Sequence, residues 1–85
     1  MEHTPNIIVY TKTGCPWRDE VLDFLEETGV SFEERNMSEN NEFRKEAIEK
    51  SGVAICPTLD IDGHILADSD AAEVRSYLKS IGVLK

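Results

Sequence analysis

Two of the 85 residues are cysteines, and Cys15 lies in the stretch YTKTGCPWRDEV, residues 10–21, between a β-branched apolar run and a run of helix formers. A helix start offers unpaired backbone N–H groups and the positive end of the helix dipole, both of which stabilise an anion. A thiolate is such an anion. Lys12 and Arg18 add positive charge, Arg18 because a side chain three residues along a helix lies on the same face one turn away. Together these features predict a depressed Cys15 pKa and a nucleophile at neutral pH, tuned by Arg18. Pro16 suits a first helical turn and leaves the cysteine on a rigid, exposed base. The alternative is an inert buried cysteine, but a strand-Gly-Cys-Pro-aromatic-helix context is not a packing position. Arg18 stands where the second thiol of a Cys-x-x-Cys pair would be, so no local disulfide can form. Some other thiol must then release Cys15.

Composition narrows the surroundings of this chemistry. The formal charge is -8, with 9 basic and 17 acidic residues, which argues against nucleic-acid or anionic-membrane surfaces. The acidic pairs at 26–27 and 33–34 and the group around 39–42 are expected to be solvated faces, with basic proteins as the partners they would select. His3, in a terminus expected to fray, and His64, together with the two cysteines, show no zinc-like spacing, so no mononuclear structural metal site is expected. Two widely separated cysteines are not a secreted disulfide framework. MEHTPNIIVYTK carries no apolar run long enough for a signal peptide or a membrane span, and a cytoplasmic location is expected.

The elements that position Cys15 follow from periodicity. Residues 6–11, NIIVYT, read as a central strand covered on both faces. From Pro16 to Thr28 the apolar residues Trp17, Val21, Leu22, Phe24 and Leu25 share one helical face, and Gly29 stops the helix. Residues 30–35, VSFEER, alternate weakly around Val30 and Phe32. A second helix is expected from about Asn41 to Ser51, with Phe43, Ala47 and Ile48 inward. PTLDIDGHILA holds two strands joined by Asp62-Gly63, a dipeptide that favours a type I′ turn. A last helix carries Val74, Tyr77, Leu78 and Ile81 on one face, capped by Ser69 or Asp68 and ended by Gly82. The order β-α-β-α-β-β-α predicts one α/β domain spanning residues 1–85, with a four-stranded mixed sheet and helices on both faces. Asp60 is weighed as an exposed strand residue or as a buried carboxylate able to move protons near the thiol.

The chain resembles the glutaredoxins of the thioredoxin-like superfamily along nearly its whole length. VYTKTGCPW is similar to their active-site strand and loop, ICPT to the segment bearing the cis-proline, DIDGHI to their hairpin, and ADSD to the start of the last helix. The resemblance implies the thioredoxin-like fold and disulfide exchange, with Cys15 attacking glutathione mixed disulfides or protein disulfides and glutathione as co-substrate. It further implies that Lys12 meets a glutathione carboxylate, Trp17 lines the groove, and Cys56 offers backbone hydrogen bonds. Pro57 would be cis, and the N–H groups of Ser69 and Asp70 would hold the γ-glutamyl carboxylate. Structural readings stand beside these: Ser69 and Asp70 as an ordinary cap, Lys12 as a solvated charge, Trp17 as a helix-burying aromatic and Cys56 as a small strand residue.

Three departures from the family pattern bear on function. Arg18 replaces the second thiol; Leu66 and Ala67 stand where glycines usually admit a ligand's backbone; and Cys56 precedes Pro57, where valine or threonine is usual. In the thioredoxin-like fold the residue before the cis-proline lies beside the active-site loop, so Cys56 is a candidate resolving thiol. Either glutathione or Cys56 would release Cys15. Rival roles are a glutathione-independent donor reduced by a thiol or flavoprotein reductant, a [2Fe-2S] carrier using both thiols, and a redox-inactive binding module. A monomer is expected in the first reading and a cluster-bridged dimer in the carrier reading. Pro16 and Trp17 differ from the Gly-Phe-Ser of the main cluster-carrying class.

Overall fold

The structure is a computed structural model that describes residues 5–84; His3 lies outside them. Its elements run β1 (Ile7–Thr11), α1 (Arg18–Thr28), β2 (Phe32–Asn36), α2 (Asn41–Ser51), β3 (Thr58–Ile61), β4 (His64–Ala67) and α3 (Ala71–Ser80). This is the order expected from periodicity. The strands form one sheet in the order β2-β1-β3-β4. β1 pairs parallel to β2 and antiparallel to β3, and β3 pairs antiparallel to β4.

Because successive strand side chains point to opposite faces, the apolar run of β1 feeds two cores. Ile7 and Val9 join Leu59 and Ile61 of β3, Val21, Phe24 and Leu25 of α1, and Val74 and Leu78 of α3. Ile8 and Tyr10 face the other way, against Met37 and Ala47 of α2. With helices on both faces, β1 is buried along its whole length, which is why its sequence does not alternate. The hairpin turn has φ 52° at Asp62 and 88° at Gly63. Two consecutive positive φ values are what a type I′ turn requires, and the Asp-Gly pair supplies them.

Several boundaries depart from the sequence expectation. β2 begins at Phe32 and not Val30, because its register on β1 starts with Ile7 opposite Phe32. Ile48 is 36% exposed and does not face inward; Ala47 is the buried residue of α2. The cap of α3 is Asp70, whose side chain accepts from the Glu73 N–H at 2.9 Å, and not Ser69 or Asp68. Asp60 is neither a free exposed carboxylate nor a group beside the thiol. It takes Lys50 Nζ at 2.7 Å on the α2 face of the sheet, where Lys50 also donates to the Tyr10 hydroxyl at 2.8 Å and that hydroxyl donates to Glu46 at 2.9 Å.

Candidate active site

The loop after β1 is made of two successive turns. Cys15 N–H donates to the Lys12 carbonyl at 3.2 Å, and Gly14, the third residue of that turn, has φ 82°. A type II turn needs positive φ there, which glycine adopts without a Cβ clash. Arg18 N–H then donates to the Cys15 carbonyl at 3.3 Å. The loop is tied to the chain after β2 by the Thr13 N–H donating to Ser38 Oγ at 3.1 Å.

α1 opens at Arg18, with Trp17 as an N-cap that makes no side-chain cap bond. Pro16 and Trp17 therefore belong to the turn and not to the helix. Cys15 precedes the first helical residue by nearly a turn, and a helix dipole acts chiefly within its own first turn. The field of α1 at the sulfur is correspondingly weaker than the sequence suggested. Lys12 makes no ion pair with a described residue, whereas Arg18 is bound on both sides. Its Nε and NH2 reach the two Glu34 carboxylate oxygens at 2.5 and 3.2 Å, and NH1 lies 3.6 Å from Asp19. Glu34 also accepts from Thr11 Oγ1 at 2.8 Å. The Arg18 hydrogen bond holds the Glu34 carboxyl below its usual range, against the opposing effect of partial burial.

Cys15 is bonded to Cys56 through a disulfide, with a Cα–Cα distance of 6.2 Å, inside the usual range for such bridges of about 4.4–6.8 Å. Cys56 sits just before β3, and the Cys56–Pro57 peptide is cis. Its segment is held by Thr58 Oγ1 donating to the Ile55 carbonyl at 2.6 Å. The segments that carry the two cysteines also carry exposed apolar side chains: Trp17 is 50% exposed, and Val53 and Ile55 are each 38% exposed. A separate groove of about 350 Å³, lined by residues including Pro5, Ile7 and Phe32, lies at the opposite end of β1.

On the β4 side, Ala67 pairs with Thr58, and the Ser69 N–H donates to the Pro57 carbonyl at 3.3 Å. Asp68, between them, has φ 54°, a left-handed conformation uncommon outside glycine. Ser69 is only 2% exposed, so one of the two N–H groups assigned to a γ-glutamyl carboxylate is already taken up inside the chain. Lys12 and Trp17 thus belong to the β1–α1 turns that carry Cys15, Cys56 and Pro57 precede β3, and Ser69 and Asp70 belong to the β4–α3 connection that is bonded to Pro57. Glu34 was missed because its partners lie on other elements, and its acidic pair read as a solvated face.

No group of the described residues supports an iron–sulfur cluster held within one chain. The two thiols are spent on each other, and among the described residues no group of three His, Cys, Asp or Glu side chains could hold a metal. Nor is any helix among them long and apolar enough to cross a membrane.

A mixed four-stranded sheet with a cysteine after β1 bonded to another before a cis-proline defines a thioredoxin-fold protein. Its family is shown by comparison: residues 7–66 match the Glutaredoxin family model, and the chain belongs to the glutaredoxin family. It is 34% identical to Glutaredoxin 3 of Escherichia coli strain K12 over 65 residues, 76% of this chain and 78% of the relative. It is also 34% identical over 61 residues to N-acetyl-S-hydroxy-L-cysteine reductase of Bacillus subtilis strain 168, covering 72% of this chain and 66% of that protein. Among solved structures, the thioredoxin-like protein BC3987 superposes with a TM-score of 0.77 at 27% identity, covering 82% of this chain and 96% of that one. A glutaredoxin from Archaeoglobus fulgidus superposes with a TM-score of 0.71 at 19% identity, covering 86% and 85%.

Proposed function

We propose that this glutaredoxin-family protein reduces disulfides through Cys15, with Cys56 as the resolving thiol. The observation that carries the reading is the pairing of the two sulfurs across a Cα–Cα distance of 6.2 Å. In the first step the Cys15 thiolate attacks a substrate disulfide RS–SR′, forming Cys15–S–S–R and expelling R′S⁻. The Cys56 thiolate then attacks the Cys15 sulfur, expels RS⁻ and closes Cys15–Cys56. Two protein thiols are oxidised and one substrate disulfide is reduced. Reopening takes two electrons, supplied by two glutathione molecules or by a dithiol or flavoprotein reductant.

The remaining residues take supporting roles. Lys12 supplies positive charge beside the Cys15 turn, Trp17 and Ile55 offer apolar contact to a disulfide-bearing protein, and Pro57 shapes the Cys56 segment. Ser69 and Asp70 flank Pro57 on the α3 side. A Ser69 N–H occupied by Pro57, together with side chains at Leu66 and Ala67, favours a protein disulfide over glutathione as the tighter substrate. The likeness to N-acetyl-S-hydroxy-L-cysteine reductase extends the substrates to sulfenic acids. There Cys15 would displace hydroxide from R–S–OH and give the same mixed disulfide. The working form is a monomer in the cytoplasm.

The reading is tested by turnover of a small neutral disulfide and of a protein disulfide, with dithiothreitol as reductant. Cys15→Ser abolishes both activities, and Cys56→Ser accumulates a covalent complex with the protein substrate at Cys15. Full turnover by Cys15→Ser would overturn the assignment of the nucleophile.

A further inference from the structure

The chemistry of a dithiol depends on how strongly its surroundings stabilise the attacking thiolate, because a stabilised thiolate makes the disulfide easier to reduce and the reduced protein a weaker reductant. The group best placed to stabilise Cys15 by charge is Arg18. Its N–H closes a turn on the Cys15 carbonyl at 3.3 Å, and the ends of such a turn lie within about 7 Å, a span that an arginine side chain can cover. The guanidinium is instead fixed on β2, where Glu34 takes two of its N–H groups. Glu34 is itself braced by the hydroxyl of Thr11, which is wholly buried at the end of β1. Resting on the reading of Cys15 as nucleophile, we propose that Glu34 is a positioning residue that sets the reducing strength of the Cys15–Cys56 pair by anchoring the Arg18 guanidinium on β2.

The local charges are consistent with such an anchor. Lys12 lies in the loop, Asp19 follows Arg18, Glu39 acts on Arg18 from the chain after β2, and Asp68 and Asp70 belong to the β4–α3 connection. Arg18 is the only cation of this group held by a carboxylate at hydrogen-bond distance on another strand. Released, it would raise the positive potential at the sulfur. With glutathione as reductant, the reduction whose balance point it shifts is protein S–S plus two GSH giving Cys15–S⁻, Cys56–SH, GSSG and one proton.

The test uses the full chain with Cys56→Ser, so that Cys15 is the single thiol, and reads its iodoacetamide alkylation rate against pH. Glu34→Gln should lower the midpoint by about one pH unit, giving about a three- to fourfold faster reaction at a pH below both midpoints, because the roughly tenfold gain in thiolate is partly offset by its lower nucleophilicity. Glu34→Asp keeps the charge but is too short to hold Arg18 and Thr11 together, so it should lower the midpoint too, which a pure charge effect would not do. In an Arg18→Gln background, Glu34→Gln should move the midpoint by less than about 0.3 unit, the scatter expected of uncoupled sites. In the two-cysteine protein, Glu34→Gln should shift the equilibrium with a glutathione redox buffer toward the dithiol by up to about tenfold. An unmoved midpoint, or equal shifts with and without Arg18, overturns the positioning role while Cys15 still exchanges normally. A Cys15 that does not exchange with disulfides at all overturns the underlying function instead.

Discussion

Reducing the Cys15–Cys56 bond should cost the fold much less than its loop length allows. The bond closes a sequence separation of 41 residues, for which the chain-entropy relation gives a ceiling of about 4 kcal/mol at 25 °C. By linkage, stability gained from a disulfide appears as a lower reduction potential of that disulfide, about 30 mV for each 1.4 kcal/mol. The full ceiling would therefore place the bond about 85 mV below its unfolded-chain value, toward the range of structural bridges that glutathione cannot open. A bond that cycles in catalysis must be reducible, and here the dithiol state gains back free energy from Lys12 and the turn N–H groups around Cys15. The expected difference between oxidised and reduced protein is about 1–2 kcal/mol, seen as a fall in Tm of about 4–8 °C per kcal/mol for a chain of this size. Urea titrations of both forms measure it. A difference of about 4 kcal/mol, with a bond that resists millimolar glutathione, would refute the reasoning and make the disulfide a structural clasp.

Other outcomes follow from the same geometry. Tyr10→Phe removes a buried hydroxyl that bridges Lys50 and Glu46; with both partners able to reach water, it should cost about 1–2 kcal/mol in urea unfolding and leave Cys15 alkylation unchanged, since the network lies on the α2 face. Glu34 is lowered by its Arg18 hydrogen bond. Glu46 is lowered because bonds from Tyr10 and Arg35 outweigh the opposing effect of burial. Both support stability that is present above the unfolded glutamate pKa of about 4.3 and is lost as pH falls through their lower folded values, so an acid titration of Tm should drop below that point. Lys50 shows the opposite sign. Burial lowers its pKa, but Asp60 and Tyr10 raise it further, so its contribution is present below its unfolded pKa and fades as pH rises through the folded value, giving a second Tm decline at strongly alkaline pH. Asp68→Gly relieves a positive φ of 54° and removes a carboxylate from the residue before Ser69, whose N–H donates to the Pro57 carbonyl. It should leave Tm nearly unchanged and raise the rate with glutathione mixed disulfides several-fold over that with a neutral disulfide; an unchanged rate ratio counts against a charge barrier there.

The architecture was legible because its signals are local. The continuous run of β1, the α1 residues Val21, Phe24 and Leu25 at helical spacing, and Asp62-Gly63 each specify one element, and the order of elements leaves few topologies. The start of α1 was misread because Pro16 is compatible with either a first helical turn or the turn before it. What escaped the sequence depends on contacts between distant elements. Arg18 meets Glu34 only because β2 lies parallel to β1 with Val9 opposite Glu34. Ser69 gives its N–H to Pro57 only because β4 returns along β3. The charge of Arg18 was visible in the chain, and its anchoring was not.

The central claim is that Cys56 resolves Cys15, and mass analysis of the wild-type chain tests it most directly. Fully reduced protein is mixed with excess glutathione disulfide, quenched in acid at intervals, and digested to locate the bonds. The account predicts a transient glutathione adduct on Cys15 that gives way to a protein two hydrogens lighter than the reduced form, with Cys15 joined to Cys56. An adduct that persists on Cys15 while Cys56 stays a free thiol would contradict it.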